Sequence, residues 1–252
     1  MSQKCAKCGM PVSPGFKFCN ACGAEVSPRA ESESHDGAVP YSDYIGCHGR
    51  AIRILTGRTA GTFYAAYPTC TIGRENCDIR ILHDQTLSPQ HVRLTTYSEE
   101  TMLEDNDSLN GIFLRMREPK VLHNNEIIRA GSHYFLYQII SVERFNERHQ
   151  TEFYATPLHG ECFRIVEIIK GGCRGRALTA TETGFAVGRT EGNFQFPEDD
   201  KMSDRHFEIR WTKQGGMLFD YSLNGTFLKI HEPVRVVEGD TFFAGNTLFR
   251  VI

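Results

Sequence analysis

Thr71-Ile-Gly-Arg74, Leu87-Ser-Pro-Gln-His91 and Ser108-Leu-Asn-Gly111 return in the same order as Ala186-Val-Gly-Arg189, Met202-Ser-Asp-Arg-His206 and Ser222-Leu-Asn-Gly225. Glu118-Pro119 also returns as Glu232-Pro233, and Ala130-Gly131 as Ala244-Gly245. The offset is 115 residues for the first two blocks and 114 for the others, so one deletion accounts for the step. Self-similarity held over such a distance marks a repeat architecture. The units run from about Cys47 to Phe145 (47–145) and from about Glu161 to Ile252 (161–252), with a polar connection at 146–160.

Within each unit, short segments alternate apolar and polar residues and are separated by Gly, Pro, Asn or Asp. Ala51-Ile-Arg-Ile-Leu55, His91-Val-Arg-Leu-Thr95, Phe163-Arg-Ile-Val-Glu-Ile168 and His206-Phe-Glu-Ile-Arg-Trp211 are examples. A period of two over four to eight residues reads as half-buried strands, and no long stretch carries the period of an amphipathic helix. The fold class is therefore all-β, with about ten strands per unit expected as two β-sandwiches in tandem. The repeated motifs fall at strand ends and loops, where a sandwich carries its function.

The order of blocks, G-R, then S-x-x-H, then S-x-N-G, resembles the forkhead-associated (FHA) domain, and both units carry all three. The resemblance implies a β-sandwich that binds phosphothreonine peptides with loops at one end. It implies phosphate contacts from Arg74 and Arg189, whose guanidinium forks suit a phosphate dianion. Ser88 and Ser203 would donate a hydroxyl to a phosphate oxygen. Asn110 and Asn224 would bond the peptide main chain with an amide that both donates and accepts. Gly73, Gly188, Gly111 and Gly225 suit tight loops with φ > 0, and His91 and His206 would brace those loops. The units also differ. Pro89 follows Ser88 and offers no N–H, whereas Asp204 follows Ser203 and would oppose a phosphate unless paired with an arginine. This favours the first site over the second.

Cys5-Ala-Lys-Cys8 and Cys19-Asn-Ala-Cys22 stand apart from the repeats. Two C-x-x-C turns, each followed by glycine, offer four thiolates for tetrahedral Zn2+. Two disulfides or a redox pair are the alternatives. Residues 1–24 resemble a short zinc ribbon, whose folding energy comes from the metal because so small a segment lacks a core. With all four positions filled by cysteine, the zinc would be structural. Residues 25–46 follow as a flexible, acidic linker, rich in Ser and Glu.

Composition limits what remains. The net charge of −3 gives no general attraction for polyanions. Nucleic acid thus stays a secondary partner, through Lys4, Lys7 and Lys17 of the ribbon. No apolar run has the length of a membrane span, and no leader is evident at Met1, so no membrane partner is expected and a cytoplasmic place is. The odd total of nine cysteines argues against a fully paired framework. Lys170-Gly-Gly-Cys-Arg-Gly-Arg176 lacks the G-K-[ST] ending of a phosphate loop and reads as a hairpin turn. No nucleophile elbow or paired histidine motif occurs, so the chain is expected not to be an enzyme. It reads instead as an adaptor for phosphorylated proteins, the products of a Ser/Thr kinase. A phosphate-independent scaffold and a nucleic-acid-associated regulator are the alternatives.

Overall fold

The structure, a computed structural model, describes residues 3–4, 11–12, 51–56, 61–64, 68–97, 100–141, 145–146, 151–152 and 154–252. The first repeat contributes β1 (Ala51–Ile54), β2 (Gly61–Tyr64), β3 (Thr69–Gly73), β4 (Ile79–Arg80), β5 (Val92–Tyr97), β6 (Glu100–Asp105), β7 (Ile112–Arg115), β8 (Lys120–Val121), β9 (Ile127–Ala130) and β10 (His133–Ile139). The second contributes their counterparts in the same order. These are β11 (Glu161–Ile169), β12 (Cys173–Thr181), β13 (Phe185–Gly188), β14 (Phe194–Gln195), β15 (Phe207–Thr212), β16 (Gly215–Asp220), β17 (Thr226–Lys229), β18 (Val234–Val236), β19 (Thr241–Ala244) and β20 (Thr247–Val251). A 3-10 turn at Lys170–Gly172 joins β11 to β12, in agreement with the hairpin read there. Two further two-stranded pairs lie outside the repeats, Gln3–Lys4 with Pro11–Val12 and Phe145–Asn146 with Thr151–Glu152.

The strands form as the alternation dictates. In β5, Val92, Leu94 and Thr96 are buried while Arg93 and Thr95 are partly exposed, the arrangement a pleated strand imposes on successive side chains. What alternation leaves open is which copy supplies each partner strand. A ten-stranded sheet runs β12-β11-β10-β9-β17-β7-β19-β20-β1-β2 through both repeats. One five-stranded sheet is ordered β18-β6-β5-β3-β4, the other β8-β16-β15-β13-β14. The last three strands of each repeat have therefore crossed to the other.

The two cores record the same exchange. One gathers Ile52, Ile72, Val92, Leu94, Leu103 and Ile112 with Val236, Phe242, Phe249 and Val251 of the second repeat. The other gathers Phe163, Ile165, Val187, Phe207 and Leu218 with Leu122, Ile128, Phe135 and Tyr137 of the first. Within the second core Trp211 stacks on Phe163, with ring centroids 5.9 Å apart. The sequence expectation of one contiguous sandwich at 47–145 and another at 161–252 is thus corrected. Two sandwiches form, each from β-strands of both repeats.

A pseudo-two-fold axis passes through the middle of the long sheet. There β7 and β17 pair antiparallel, with Leu114 opposite Leu228, the same position of each repeat. Pairing β7 to its own counterpart directs each chain away from its starting sandwich. The repeated Glu-Pro at 118–119 and 232–233 lies in the links that cross over. A residue before proline is held toward extended geometry, which disfavours a tight return. Arg117 in the first link is bonded to the buried Asp240 carboxylate, with Nε to Oδ1 at 2.6 Å.

Two aspartates fasten the exchanged ends. Asp84 Oδ2 accepts from Asn246 N at 2.9 Å and from Thr247 Oγ1 at 2.7 Å. Asp199 Oδ2 accepts from Ser132 N at 2.7 Å. Burial alone would raise the Asp84 carboxyl, but its bonds from Thr86, Thr247 and Asn246 outweigh that and hold it below the ordinary value.

Candidate functional site

Three loops of the first repeat meet at one end of its sandwich. They are the turn after β3, which carries Arg74, the segment Thr86–His91 before β5, and the β6–β7 loop with Ser108–Gly111. Arg74 N donates to the carbonyls of Ser88 and Pro89, at 3.1 and 3.0 Å. This approach leaves no space at Gly73, where a Cβ would stand 2.1 Å from Pro89 O.

His91 joins the second loop to the third. It is fully buried; its Nδ1 accepts from Ser88 N at 3.0 Å and its Nε2 lies 3.0 Å from Gly111 O. An acceptor Nδ1 assigns the proton to Nε2, which donates to the carbonyl. Burial lowers the imidazole pKa, and the nearby Lys229 charge lowers it further, against the opposing pull of the Gly111 carbonyl and of Asp105 and Asp84. Gly111, at φ +77°, turns the chain where L side chains are strained, and its N–H bonds Ser108 Oγ at 2.9 Å.

This framework leaves ligand-type groups at the rim. Ser88 Oγ accepts from Leu109 N at 3.1 Å, so its own O–H can still donate. Asn110 Nδ2 donates to Thr86 O at 2.7 Å, which fixes the amide and leaves its Oδ1 to accept. Leu109 between them is 88% exposed.

The second repeat builds the same framework. Ser203 N donates to His206 Nδ1 at 3.1 Å, and His206 Nε2 lies 3.2 Å from Gly225 O. Leu223 N bonds Ser203 Oγ at 3.2 Å, Asn224 Nδ2 bonds Lys201 O at 2.8 Å, and Gly225 N bonds Ser222 Oγ at 2.8 Å. A Cβ at Gly188 would lie 2.0 Å from Asp204 O. Burial likewise lowers the His206 pKa.

The cations differ. Arg74 makes one long side-chain bond, Nη1 to Gln85 Oε1 at 3.4 Å, and its Nε is buried with no partner among the described residues. Such a group stays costly until a ligand or water satisfies it. Arg189 is engaged instead. Its Nη2 and Nε bond Asp204 Oδ1 at 2.9 and 3.2 Å, and Thr190 Oγ1 bonds the same oxygen at 2.7 Å. The Thr190 bond, then the Arg189 bond, hold the Asp204 carboxyl below its ordinary pKa. The pairing anticipated for Asp204 is therefore present.

All twelve loop residues singled out in the sequence come together, six in each cluster. One reason needs correction: Gly111 and Gly225 occupy φ > 0, at +77° and +91°, but Gly73 and Gly188 do not. The latter two are needed because a neighbouring carbonyl occupies the space of a Cβ. Sequence reading assigned no role to Ser108 and Ser222, whose hydroxyls cap the loop glycines; the repeated S-L-N-G was the available signal. It also passed over Arg115 and Lys229, which reach the clusters only through the strand exchange. The proposed zinc ligands Cys5, Cys8, Cys19 and Cys22 lie outside the described residues, as does the whole of the 25–46 segment. No group of His, Cys, Asp or Glu among the described residues is arranged to hold a metal. Burial pushes the Cys77 thiol up to about 11, away from the thiolate a nucleophile requires. No helix among the described residues is long and apolar enough to cross a membrane.

Comparison with known proteins agrees with this framework. The FHA domain family model matches residues 70–131 and 185–245, and the zinc-ribbon domain model matches residues 4–26. No curated protein matches the chain. Among solved structures, the chain is similar to the FHA domain of the CT664 protein from Chlamydia trachomatis, at 12% identity and a TM-score of 0.34, over 81% of this chain and 96% of that one. It is similar also to the FHA-1 domain of Rv1747 from Mycobacterium tuberculosis, at 27% identity and a TM-score of 0.22, over 26% of this chain and 66% of that one. EmbR from the same organism, solved in complex with a low-affinity phosphopeptide, is matched at 19% identity and a TM-score of 0.24 over 36% of this chain and 24% of its own. Two domain families thus account for the loop clusters and the cysteine-rich N-terminus: the chain is a tandem FHA-domain protein with an N-terminal zinc-ribbon domain.

Proposed function

We propose that the protein is a non-catalytic adaptor that binds phosphothreonine peptides at two loop clusters and so recruits proteins phosphorylated by a Ser/Thr kinase. Arg74, Ser88 and Asn110 form one site; Arg189, Ser203 and Asn224 form the other. The observation that carries this reading is the buried histidine brace, built twice, which ties the serine and asparagine loops into one rim while the Ser88 hydroxyl and Asn110 Oδ1 stay available. A rim fixed before binding loses little entropy when a peptide docks. The guanidinium then supplies charge-assisted bonds to the phosphate dianion, the serine adds a hydroxyl donor, and the asparagine holds the extended peptide backbone. Cys5, Cys8, Cys19 and Cys22 would hold a structural Zn2+, since four thiolates form a closed set with no open position for chemistry.

The test is titration of the full chain with a phosphothreonine peptide library alongside unphosphorylated and phosphoserine counterparts. Binding of phosphothreonine peptides alone, lost in the Arg74→Ala, Arg189→Ala double variant, is the expected result. Equal binding of unphosphorylated peptides would overturn it.

A further inference from the structure

Each loop cluster is edged by a cation that comes from the other repeat's end of the seam. Arg115 closes β7 and Lys229 closes β17, and the two occupy equivalent positions about the pseudo-two-fold axis, since Leu114 pairs with Leu228. β7 belongs to the first sandwich but extends along β17, so Arg115 arrives at the second cluster. Its Nη2 donates to Leu223 O at 3.4 Å, and a Cβ on Gly225 would lie 2.4 Å from its Nε. Lys229 arrives at the first cluster by the same path, with its Cε 2.3 Å and its Nζ 2.9 Å from where a Gly111 Cβ would be. Neither cation has a carboxylate within ion-pair distance among the described residues.

This placement has a direction. In each cluster the arginine and serine mark the phosphate end and the asparagine marks the peptide backbone. The foreign cation lies beside the Asn-Gly turn. A bound peptide that runs from Arg189 and Ser203 over Asn224 brings a residue a few positions from its phosphothreonine toward Arg115. Arg115 has five N–H donors, of which one is engaged by Leu223 O. It lines a hollow of about 430 Å³ with Arg117, Phe219, Asp220 and Tyr221. The Asp220 carboxylate there is occupied by Ser222 and Thr226. Lys229 lines a hollow of about 420 Å³ with Glu104, Asp105, Asp107, Ser108 and Glu232, so carboxylates offset its charge more strongly.

Resting on the phosphothreonine reading of the clusters, we propose that Arg115 is a specificity-determining residue of the second site and Lys229 of the first. Each selects an acidic side chain, Asp, Glu or a second phosphate, near the phosphothreonine. Neither repeat holds its own selector, and strand exchange delivers both. Arg115 is the stronger of the two.

The experiment uses the full chain with one site silenced. In an Arg74→Ala background, phosphothreonine peptides are titrated in which a single glutamate is walked through the positions on either side of the phosphothreonine. The expected result is a preference for one acidic position of about tenfold over the neutral peptide, weakening with salt as a charge contact in water does. Arg115→Ala brings that acidic-to-neutral ratio to about one, Arg115→Lys retains part of it, and Arg115→Glu inverts it toward a basic residue. In an Arg189→Ala background Lys229→Ala removes a smaller preference, of about threefold. A ratio that Arg115→Ala and Arg115→Glu leave unmoved, or equal affinity for acidic and neutral peptides in the parent, overturns the inference while leaving phosphothreonine binding intact. Failure of every phosphothreonine peptide to bind overturns the functional reading, and this inference with it.

Discussion

The two loop clusters share a skeleton and differ in the charge they present. His91 and His206 are both buried between a serine N–H and a glycine carbonyl. The asparagine amides bond a loop carbonyl at 2.7 and 2.8 Å, almost the same distance. Yet among the described residues Arg74 has a single long side-chain bond, to Gln85, while Arg189 is held by Asp204. The parts that place the loops are the parts retained in both copies. What differs is the partner of the arginine, Gln85 in the first cluster and Asp204 in the second. A phosphate entering the second site must displace a carboxylate from its arginine, whereas the first site presents an arginine ready to bind. The first site is accordingly expected to be the tighter one.

Whether the clusters can be parted at all is the harshest challenge to that comparison. Each core takes strands from both repeats, so cleavage of the full chain within residues 146–160 should leave two fragments that co-elute and separate only in denaturant. Fragments that part freely and stay folded would mean contiguous sandwiches. The next effect in size is Arg74→Ala. Removing charge-assisted bonds worth about 1.5–3 kcal/mol should weaken first-site binding by about a hundredfold. Arg189→Ala should cost the second site only about tenfold, because Asp204 already competes for that arginine; calorimetric titration of each variant measures both. Smaller still is Asp204→Ala, which frees Arg189 and removes a like charge from beside the phosphate. A gain of about threefold at the second site is expected, and a loss would break the comparison.

The smallest effect is shared by both clusters. Burial lowers the pKa of His91 and His206 below the ordinary 6.5, so both stay neutral to lower pH in the folded protein than in the unfolded chain. Below about pH 6.5 the unfolded chain takes up protons that the folded one does not. The stability these histidines contribute is fully present above that pH and declines as pH falls toward their folded values. Thermal unfolding followed between pH 7.5 and 5.5 should show the decline, and His91→Gln should reduce it.

The sequence made the loop clusters legible because their chemistry is local. Ser88, His91, Asn110 and Gly111 act within short segments whose spacing survives in the repeat, and S-L-N-G needs little beyond its own turn. Strand exchange was not legible, because the alternation in β9 is the same whichever partner it meets. Ile128 faces Leu228 of the other copy, yet its burial pattern would equally suit Leu114 of its own. The repeated Glu-Pro was the one sign of a crossing, and composition gives it no more meaning than a turn. Arg115 and Lys229 were invisible for the same reason: their position depends on which sandwich their strand extends toward. Gly73 was recognised as necessary on the wrong ground, since a close carbonyl three-dimensionally adjacent to it leaves no mark in its own segment.

The most direct test of the whole account is one calorimetric titration of the full chain with a singly phosphorylated phosphothreonine peptide. Two sites of unequal affinity should appear, the tighter weakened about a hundredfold by Arg74→Ala and the weaker about tenfold by Arg189→Ala, with no heat from the unphosphorylated peptide. Binding that persists without the phosphate, or that neither arginine variant alters, would contradict it.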